Sequence, residues 1–470
     1  MFNSIVASVN EILWGKGQVL IYMLLFAGLW FSARLGCIQL RHFGHMFSLL
    51  KGSTKSDQSG ISSFQALCTS LSARVGTGNL AGVAIAISLG GPGAIFWMWV
   101  IAFLGMATGY AESLLGQVYK VRDSNGEFRG GPAYYIKQGL GLGWLGIAFS
   151  VCLLFGYGFI FGATQANTIT DALNYAYNIP TIASGLAITV LAGIIILGGL
   201  RAIARFSAVV VPVMGIAYVV VVVGIAIVNI SSVPAMLANI VMSAFGLNEA
   251  AAGTFAAAVK NGIQRGLYSN EAGTGAVPQA AASASPQPNH PATQGYIQML
   301  GVFLDTMVVC TCTAIIIMLA GGTSGEGMEG IRLTQDAMTT HIGSWGIHFV
   351  SIAISLFAFT SIVANYAYAE SNLHLFKQDN EIGRGVLTII FLVMILVGAN
   401  ANLQNVWAAA DMAFGLMAVI NIVAIVMLTP TILAVSQDYA RKRKERLSMK
   451  YMPGDCTIQG ESEPGIWDKQ

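Results

Sequence analysis

Residues 72–82, SARVGTGNLAG, set an arginine two positions before a Gly-Thr-Gly inside an otherwise apolar stretch. Residues 269–279, SNEAGTGAVPQ, set a glutamate before a second Gly-Thr-Gly. A glycine lowers helix stability by about 1 kcal/mol relative to alanine, so each cluster lets a helix unwind locally. Amides opening the downstream half-helix would then offer donors and partial positive charge to a carboxylate. Carbonyls closing the upstream half-helix could hold an ammonium group or a metal cation. The competing reading is that these glycines only permit close helix packing. One cluster alone fits packing; two at matched positions favour a broken-helix binding site. Arg74 and Glu271 stand three residues before each threonine. Charges inside a membrane are costly and usually paired or functional, so both are expected in ion pairs or gating contacts. The candidates are each other, Glu112, Asp305 and Asp411.

The elements that must carry these clusters read as membrane helices. Of 470 residues, 55% are hydrophobic and only 10% charged, against about 25% charged in soluble domains. Apolar runs near membrane length recur throughout. Eleven spans are expected, near 17–35, 62–90, 93–118, 143–168, 181–199, 207–229, 252–286, 292–320, 345–371, 384–400 and 405–434. The first lacks a preceding basic segment and a small-residue cleavage site, so it reads as a retained span rather than a signal peptide. Lys and Arg set the orientation. Of the 24, nineteen fall in 34–60, 120–137, 201–205, 377–384 and the tail. Only Lys16, Lys260, Arg265 and Arg332 fall on the other side. The N-terminus is therefore expected outside and the C-terminus in the cytoplasm. The basic tail, from Arg441 to Lys469, reads as an anchor near anionic headgroups and not as a nucleic-acid site. The segment 321–344, with Glu326, Glu329, Arg332 and Asp336, is expected to be an external loop carrying a short surface helix. His290, in a proline-rich internal loop, is expected in solvent. The six cysteines show no metal-ligand spacing and read as small core residues.

The two clusters also align. SARVGTGNLAGVAIAIS (72–88) and SNEAGTGAVPQAAASAS (269–285) share serine, Gly-Thr-Gly, an alanine and a final serine at a constant offset of 197. The first opens five spans from the cytoplasm and the second opens five from outside, so the halves are inverted. Secondary transporters are often built this way, their interrupted helices marking the binding site. The organisation expected is an extra span and loop over 1–60, repeats over 61–230 and 231–435, and a basic tail over 436–470. The fold class is all-α and polytopic, one span plus a 5+5 inverted repeat with two broken helices.

Longer motifs carry a family likeness. GGPGAIFWMWVIAFLG (90–105), CTSLSARVGTGNLAGVA (68–84), FRGGPAYYI (128–136), QRGLYSNEAGTG (264–275) and GVFLDTMVVCT (301–311) resemble the alanine/glycine:cation symporter family, also called sodium:alanine symporters. The likeness runs from about residue 10 to 440. It implies a leucine-transporter-like fold in a bacterial-type inner membrane, with sodium as coupling ion and no organic cofactor. The partner implied is a small neutral amino acid, alanine or glycine, imported by alternating access. Carried over by position, Thr77, Gly78 and Asn79 contribute to the substrate site, and Gly76 and Thr77 to the sodium site. Gln165 in FIFGATQAN and Phe161 one turn earlier would contact substrate, as would Asn270, Gly273, Thr274 and Gly275 at the second break. Thr360 and Ser361 would complete the sodium site with hydroxyl oxygens, which suit a hard cation. The chain departs from the family at 359–366, FTSIVANY, where Asn365 stands at a position that many relatives fill with tryptophan. That exchange enlarges the expected pocket and adds amide donors and an acceptor, so glutamine becomes a candidate substrate. The FWMW aromatics are expected to pack rather than stack on a ligand.

Two other classes compete. A passive channel would need a filter segment repeated about a pore axis, and none is evident. A membrane-embedded enzyme would need a catalytic signature, and the chain has no His-Glu metal motif, no Gly-x-Ser-x-Gly turn and no aspartate pair at dyad spacing. Proton coupling in place of sodium, the oligomeric state and the preferred amino acid stay open on the sequence.

Overall fold

The computed structural model describes residues 2–55, 60–247, 255–321 and 330–467. Glu326, Glu329, Lys469 and the first three positions of the expected seventh span lie outside them. Helices dominate. The main ones, in chain order, are α1 (Phe2–Leu13), α2 (Val19–Arg34), α3 (Ser63–Arg74), α4 (Val83–Gly90), α5 (Gly93–Val118), α6 (Gly143–Tyr177), α7 (Thr181–Ile196), α8 (Gly199–Val228) and α9 (Val233–Ala244). They continue as α10 (Phe255–Asn270), α11 (Val277–Ala282), α12 (Pro291–Leu319), α13 (Ile331–Ile342), α14 (Trp345–Ser371), α15 (Glu381–Ala399), α16 (Leu403–Met427) and α17 (Thr429–Lys444). A two-stranded antiparallel hairpin, β1 (Val121–Arg122) and β2 (Phe128–Arg129), follows α5.

Among the described residues, seven helices are long and apolar enough to cross a membrane: α5, α6, α8, α12, α14 (continued by a short turn to Phe376), α15 and α16. The other four expected spans divide into two kinds. Those at 17–35 and 181–199 form helices of 16 residues each, α2 and α7. Those at 62–90 and 252–286 are interrupted where Gly-Thr-Gly stands, so neither is one continuous helix. Exposed side chains on α8 (Val209, Val213, Ile216, Val220, Val223, Ile227) and α15 (Ile382, Val386, Ile389, Val393, Val397) recur at three or four residues. Each row forms one apolar stripe of a helix, and unburied stripes of this size mark a lipid-facing surface. By contrast α5 is buried without a break from Leu104 to Val118 and packs against α10 and α12. It is the post around which the two interrupted helices are arranged.

Sequence chemistry fixes several helix starts. Ser62 and Gln65 form a reciprocal capping box opening α3, Ser62 Oγ accepting from the Gln65 amide and Gln65 Oε1 from the Ser62 amide. Asn402 accepts from the Gln404 and Asn405 amides at the head of α16.

Several expectations need correction. His290 is fully buried rather than solvated: the Ala292 amide donates to its Nδ1 (3.1 Å), and its Nε2 lies 3.2 Å from Asp438. The segment around Arg332 is no free surface helix, since α13 buries Thr334, Gln335 and Met338 and Thr334 donates to the Leu80 carbonyl. An apolar helix that was not anticipated, α9, lies against α5, and the Trp97 indole donates to the Ala244 carbonyl that closes it. The tail, in addition, packs on the body. Lys442 pairs with Asp438 and Asp455, and Tyr451 and Trp467 are buried.

Candidate functional site

The two interruptions lie side by side, and their chemistry differs. At the first, α3 ends at Arg74 and the chain re-enters helix through a wide π-type turn, Gly78–Gly82. None of the glycines there has a positive φ. Their need is space. A Cβ at Gly76 would come within 2.4 Å of Ser361 Oγ and 2.6 Å of Gln165 Oε1. At the second, Glu271, Gly273 and Gly275 all have positive φ (56°, 91° and 81°). Backbone of that hand costs a non-glycine residue energy, so the need for glycine at 273 and 275 is conformational.

Polar side chains close around the first break. Gln165 Oε1, on α6, accepts from the Thr77 amide at 3.0 Å. Asn79 Oδ1 accepts from the Gly76 amide at 3.0 Å, while its Nδ2 donates to Asp305 Oδ1 (2.8 Å) and Ser269 Oγ (3.2 Å). Asn79 thus ties the first break to α10 and α12. Ser361, on α14, donates to the Ser72 carbonyl at 2.7 Å and lies 3.4 Å from the Val75 carbonyl. These are the free carbonyls that the end of a helix leaves. Thr360 donates to Phe357 O of its own helix. Phe161 stacks on Phe414 (4.0 Å between centroids) and meets Tyr157 edge-on, forming an aromatic floor. Asn365, one turn beyond Ser361, is 1% exposed, and both its amide atoms lack a partner among the described residues.

The second break satisfies itself. The Gly273 and Gly275 amides both donate to the Glu112 carboxylate at 3.2 Å, and Asn421 Nδ2 donates to the same carboxylate at 2.8 Å. Tyr135 donates to Asn421 Oδ1. The anion those amides hold is therefore the chain's own. Thr274 Oγ1 donates to the Glu271 carbonyl, and Asn270 Oδ1 accepts from the Ala272 amide while Asn270 Nδ2 has no partner among the described residues. The structure brings Gly76, Thr77, Asn79, Gln165 and Ser361 together; Gly273, Thr274 and Gly275 belong to the separate constellation about Glu112.

The expected ion pairs of Arg74 do not form. Arg74 Nη2 donates to Gln298 Oε1 at 3.0 Å and lies 3.4 Å from Ser70 Oγ, with no carboxylate within 4 Å among the described residues. Asp411 pairs with Arg265 instead, at 2.6 Å. Asp305 is held by neutral donors, Asn79, Ser269 and Thr306. From the sequence, Glu112 and Asp305 stand only as candidate partners for Arg74 or Glu271. Sequence reasoning missed Ser269, Thr306 and the Ser72 and Val75 carbonyls; for the carbonyls, the place just upstream of a break was the available signal. Trp97 and Trp99 hydrogen-bond to Ala244 O and Thr311 Oγ1, so the FWMW element packs between helices.

Comparison with known proteins adds three relatives and a family profile. The profile of the sodium:alanine symporter family matches residues 1–452. The uncharacterized transporter YaaJ of Escherichia coli (strain K12) is 46% identical over 93% of this chain and 92% of its own. The amino-acid carrier protein AlsT of Bacillus subtilis (strain 168) is 43% identical over 96% of each chain. The probable sodium/glutamine symporter GlnT of the same organism is 42% identical over 94% of this chain and 91% of its own.

Proposed function

Because this chain belongs to the sodium:alanine symporter family, a family of transporters and not of enzymes, we propose that it imports small neutral amino acids together with sodium. The observation that supports this reading most is the closure of both Ser361 and Gln165 on the first break. The Ser72 and Val75 carbonyls, the Ser361 hydroxyl and the neighbouring Thr360 hydroxyl offer hard oxygens to an alkali cation. Gly76 and Thr77 supply the backbone between. Thr77, Gly78, Asn79 and Gln165 offer amides and a side-chain amide to the charged ends of an amino acid. Phe161 floors that space, Asn365 and the Asn270 amide border it, and Gly273, Thr274 and Gly275 shape the wall behind. Residues 61–230 and 231–435 move as two inverted halves about the breaks, with the N-terminus outside and the C-terminus in the cytoplasm.

Removing one ligating oxygen should weaken sodium binding while sparing the rest. Thr360→Ala and Ser361→Ala are each expected to raise the sodium concentration for half-maximal uptake about tenfold, equivalent to ~1.4 kcal/mol. The amino-acid selectivity should change little. Counterflow in proteoliposomes with an amino-acid panel, with and without sodium, measures both. Unchanged sodium dependence in both variants, with uptake intact, would move coupling elsewhere. Asp305 supports that second reading, proton coupling, because its buried carboxylate has neutral donors and no cation within 4 Å among the described residues. In that case uptake would follow a proton gradient without sodium and Asp305→Asn would abolish the response.

A further inference from the structure

The two interrupted helices meet again at their ends away from the breaks, on the side of the tail. Ile61, just before α3, forms a parallel bridge with Ala284, just after α11. Its amide donates to the Ser283 carbonyl and its carbonyl accepts from the Ser285 amide, both at 3.0 Å. The end of α5 backs this stitch. Gln117 Nε2 and Lys120 Nζ both donate to the Ala284 carbonyl, at 3.0 and 3.1 Å. Lys120 is fully buried. Its ammonium also donates to Gln117 Oε1 at 3.0 Å, and it lies 4.0 Å from the Phe128 ring centroid and 4.5 Å from that of Trp467. A cation over an aromatic face is attracted to the ring, the more so out of water. A ring from the tail therefore helps to fix the lysine that holds the stitch.

Scattered contacts seat the tail along its length. The Tyr451 amide donates to the Asn289 carbonyl at 2.9 Å, and its ring meets Trp467 edge-on at 5.4 Å. The Gln459 amide donates to Thr431 Oγ1 on α17 at 2.9 Å, and Tyr119 donates to the Gln459 carbonyl. Gly460 has a φ of 65°, and a Cβ there would lie 1.9 Å from the carbonyl oxygen of Gln138, in the short helix Pro132–Gly139. Glycine alone lets the tail come so close. Residues 445–467 form no helix or strand, and a segment held in this way opens locally without global unfolding. Most of it lies past residue 452, where the family profile ends. We propose that residues 445–467 are a releasable strap. Seated with Trp467 on Lys120, the strap holds the stitch between α3 and α11 shut, and its departure lets the two half-helices part on that side. The proposal rests on the transport reading above, which makes that side the one where the amino acid leaves.

Hydrogen exchange of the full chain in nanodiscs, read over residues 61–63 and 283–286, tests the strap, with counterflow of labelled alanine measured beside it. Trp467→Ala removes the ring from Lys120. Gly460→Ala pushes the strap off Gln138 while keeping the ring, and Trp467→Phe keeps an aromatic face. The two alanine variants should speed exchange at the stitch tenfold or more and raise the initial counterflow rate at least twofold. Trp467→Phe should stay within threefold of the wild type in both, and exchange along α5 should not change in any variant. A stitch as protected in both alanine variants as in the wild type would overturn the strap. Exchange raised equally along α5 would overturn it too, leaving the tail a general stabiliser. A loosened stitch with an unchanged counterflow rate would remove its role in release. A wild type that takes up no amino acid would sink the transport reading, while the exchange measurement still decides the strap.

Discussion

At the scale of the residue, Asn365 carries the substrate question. Its side chain is buried on α14, with neither the amide oxygen nor the amide nitrogen paired among the described residues. A buried polar group left unpaired costs roughly 1–3 kcal/mol. A ligand that brings its own amide could recover part of that cost, since a carboxamide both donates and accepts. Glutamine is such a ligand, and alanine is not. Two recovered hydrogen bonds at about 1 kcal/mol each correspond to somewhat more than a tenfold gain in affinity. Glutamine is therefore expected to compete with labelled alanine in the wild type, and Asn365→Trp, which fills the space and removes the amide, should weaken that competition at least tenfold. Equal competition in the two proteins would take Asn365 out of the pocket.

At the scale of the element, the breaks themselves were legible because glycine is cheap to read: no other residue weakens a helix interior so strongly except proline. Their division of labour was not. That Gly273 and Gly275 hold Glu112 depends on a carboxylate 161 and 163 residues away on α5, and spacing along one chain does not reveal a partner at such distance. The same limit explains Arg74, which was assigned a carboxylate and is held by Gln298 on α12. It also explains α13, whose polar composition suggested a surface while Thr334 and Gln335 reach inward. One local expectation did survive: the FWMW aromatics pack between helices. The second break makes the strongest demand on its sequence. A Cβ at Gly275 would lie 2.4 Å from Pro132 Cγ and 2.8 Å from Phe149 Cζ, at a φ of 81°. Glu112→Gln keeps the volume but turns an amide donor toward backbone donors, and hydrogen bonds to a charged group are worth about 1.5–3 kcal/mol. Thermal unfolding in detergent should therefore show Glu112→Gln destabilised by about that amount. Gly275→Ala should fall further, since it adds a clash to the strain. A Glu112→Gln protein as stable as the wild type would show that the second break does not depend on this carboxylate.

At the scale of the whole molecule, the basic tail is folded back onto the helical body, and one histidine joins them. His290 caps α12 through Nδ1, which accepts from the Ala292 amide, so Nδ1 carries no proton and Nε2–H faces Asp438 on α17. Tyr439 and Tyr451 pack edge-on against its ring, and Lys442 binds the same carboxylate. Burial pushes the imidazole down from 6.5 to about 4, with Asp438 opposing and Lys442 assisting. At neutral pH the contact is thus a hydrogen bond of a neutral ring, and not an ion pair. The unfolded chain takes up a proton near pH 6.5, whereas the folded chain refuses it until about 4. Between those values the unfolded state binds more protons, so stability rises with pH. The contribution is complete above about 6.5 and is lost as pH falls toward 4, at up to ~1.4 kcal/mol per unit for one proton. His45, also lowered to about 4 by burial and Arg443, acts with the same sign. His290→Asn keeps a good helix cap and cannot titrate. Its melting temperature should fall less steeply than that of the wild type between pH 6.5 and 4.5, by about one proton's worth of slope, while the His45 share persists. Hydrogen exchange over residues 445–467 should show the tail loosening first in the wild type. Parallel slopes in the two proteins would mean that the tail is held to the body without His290.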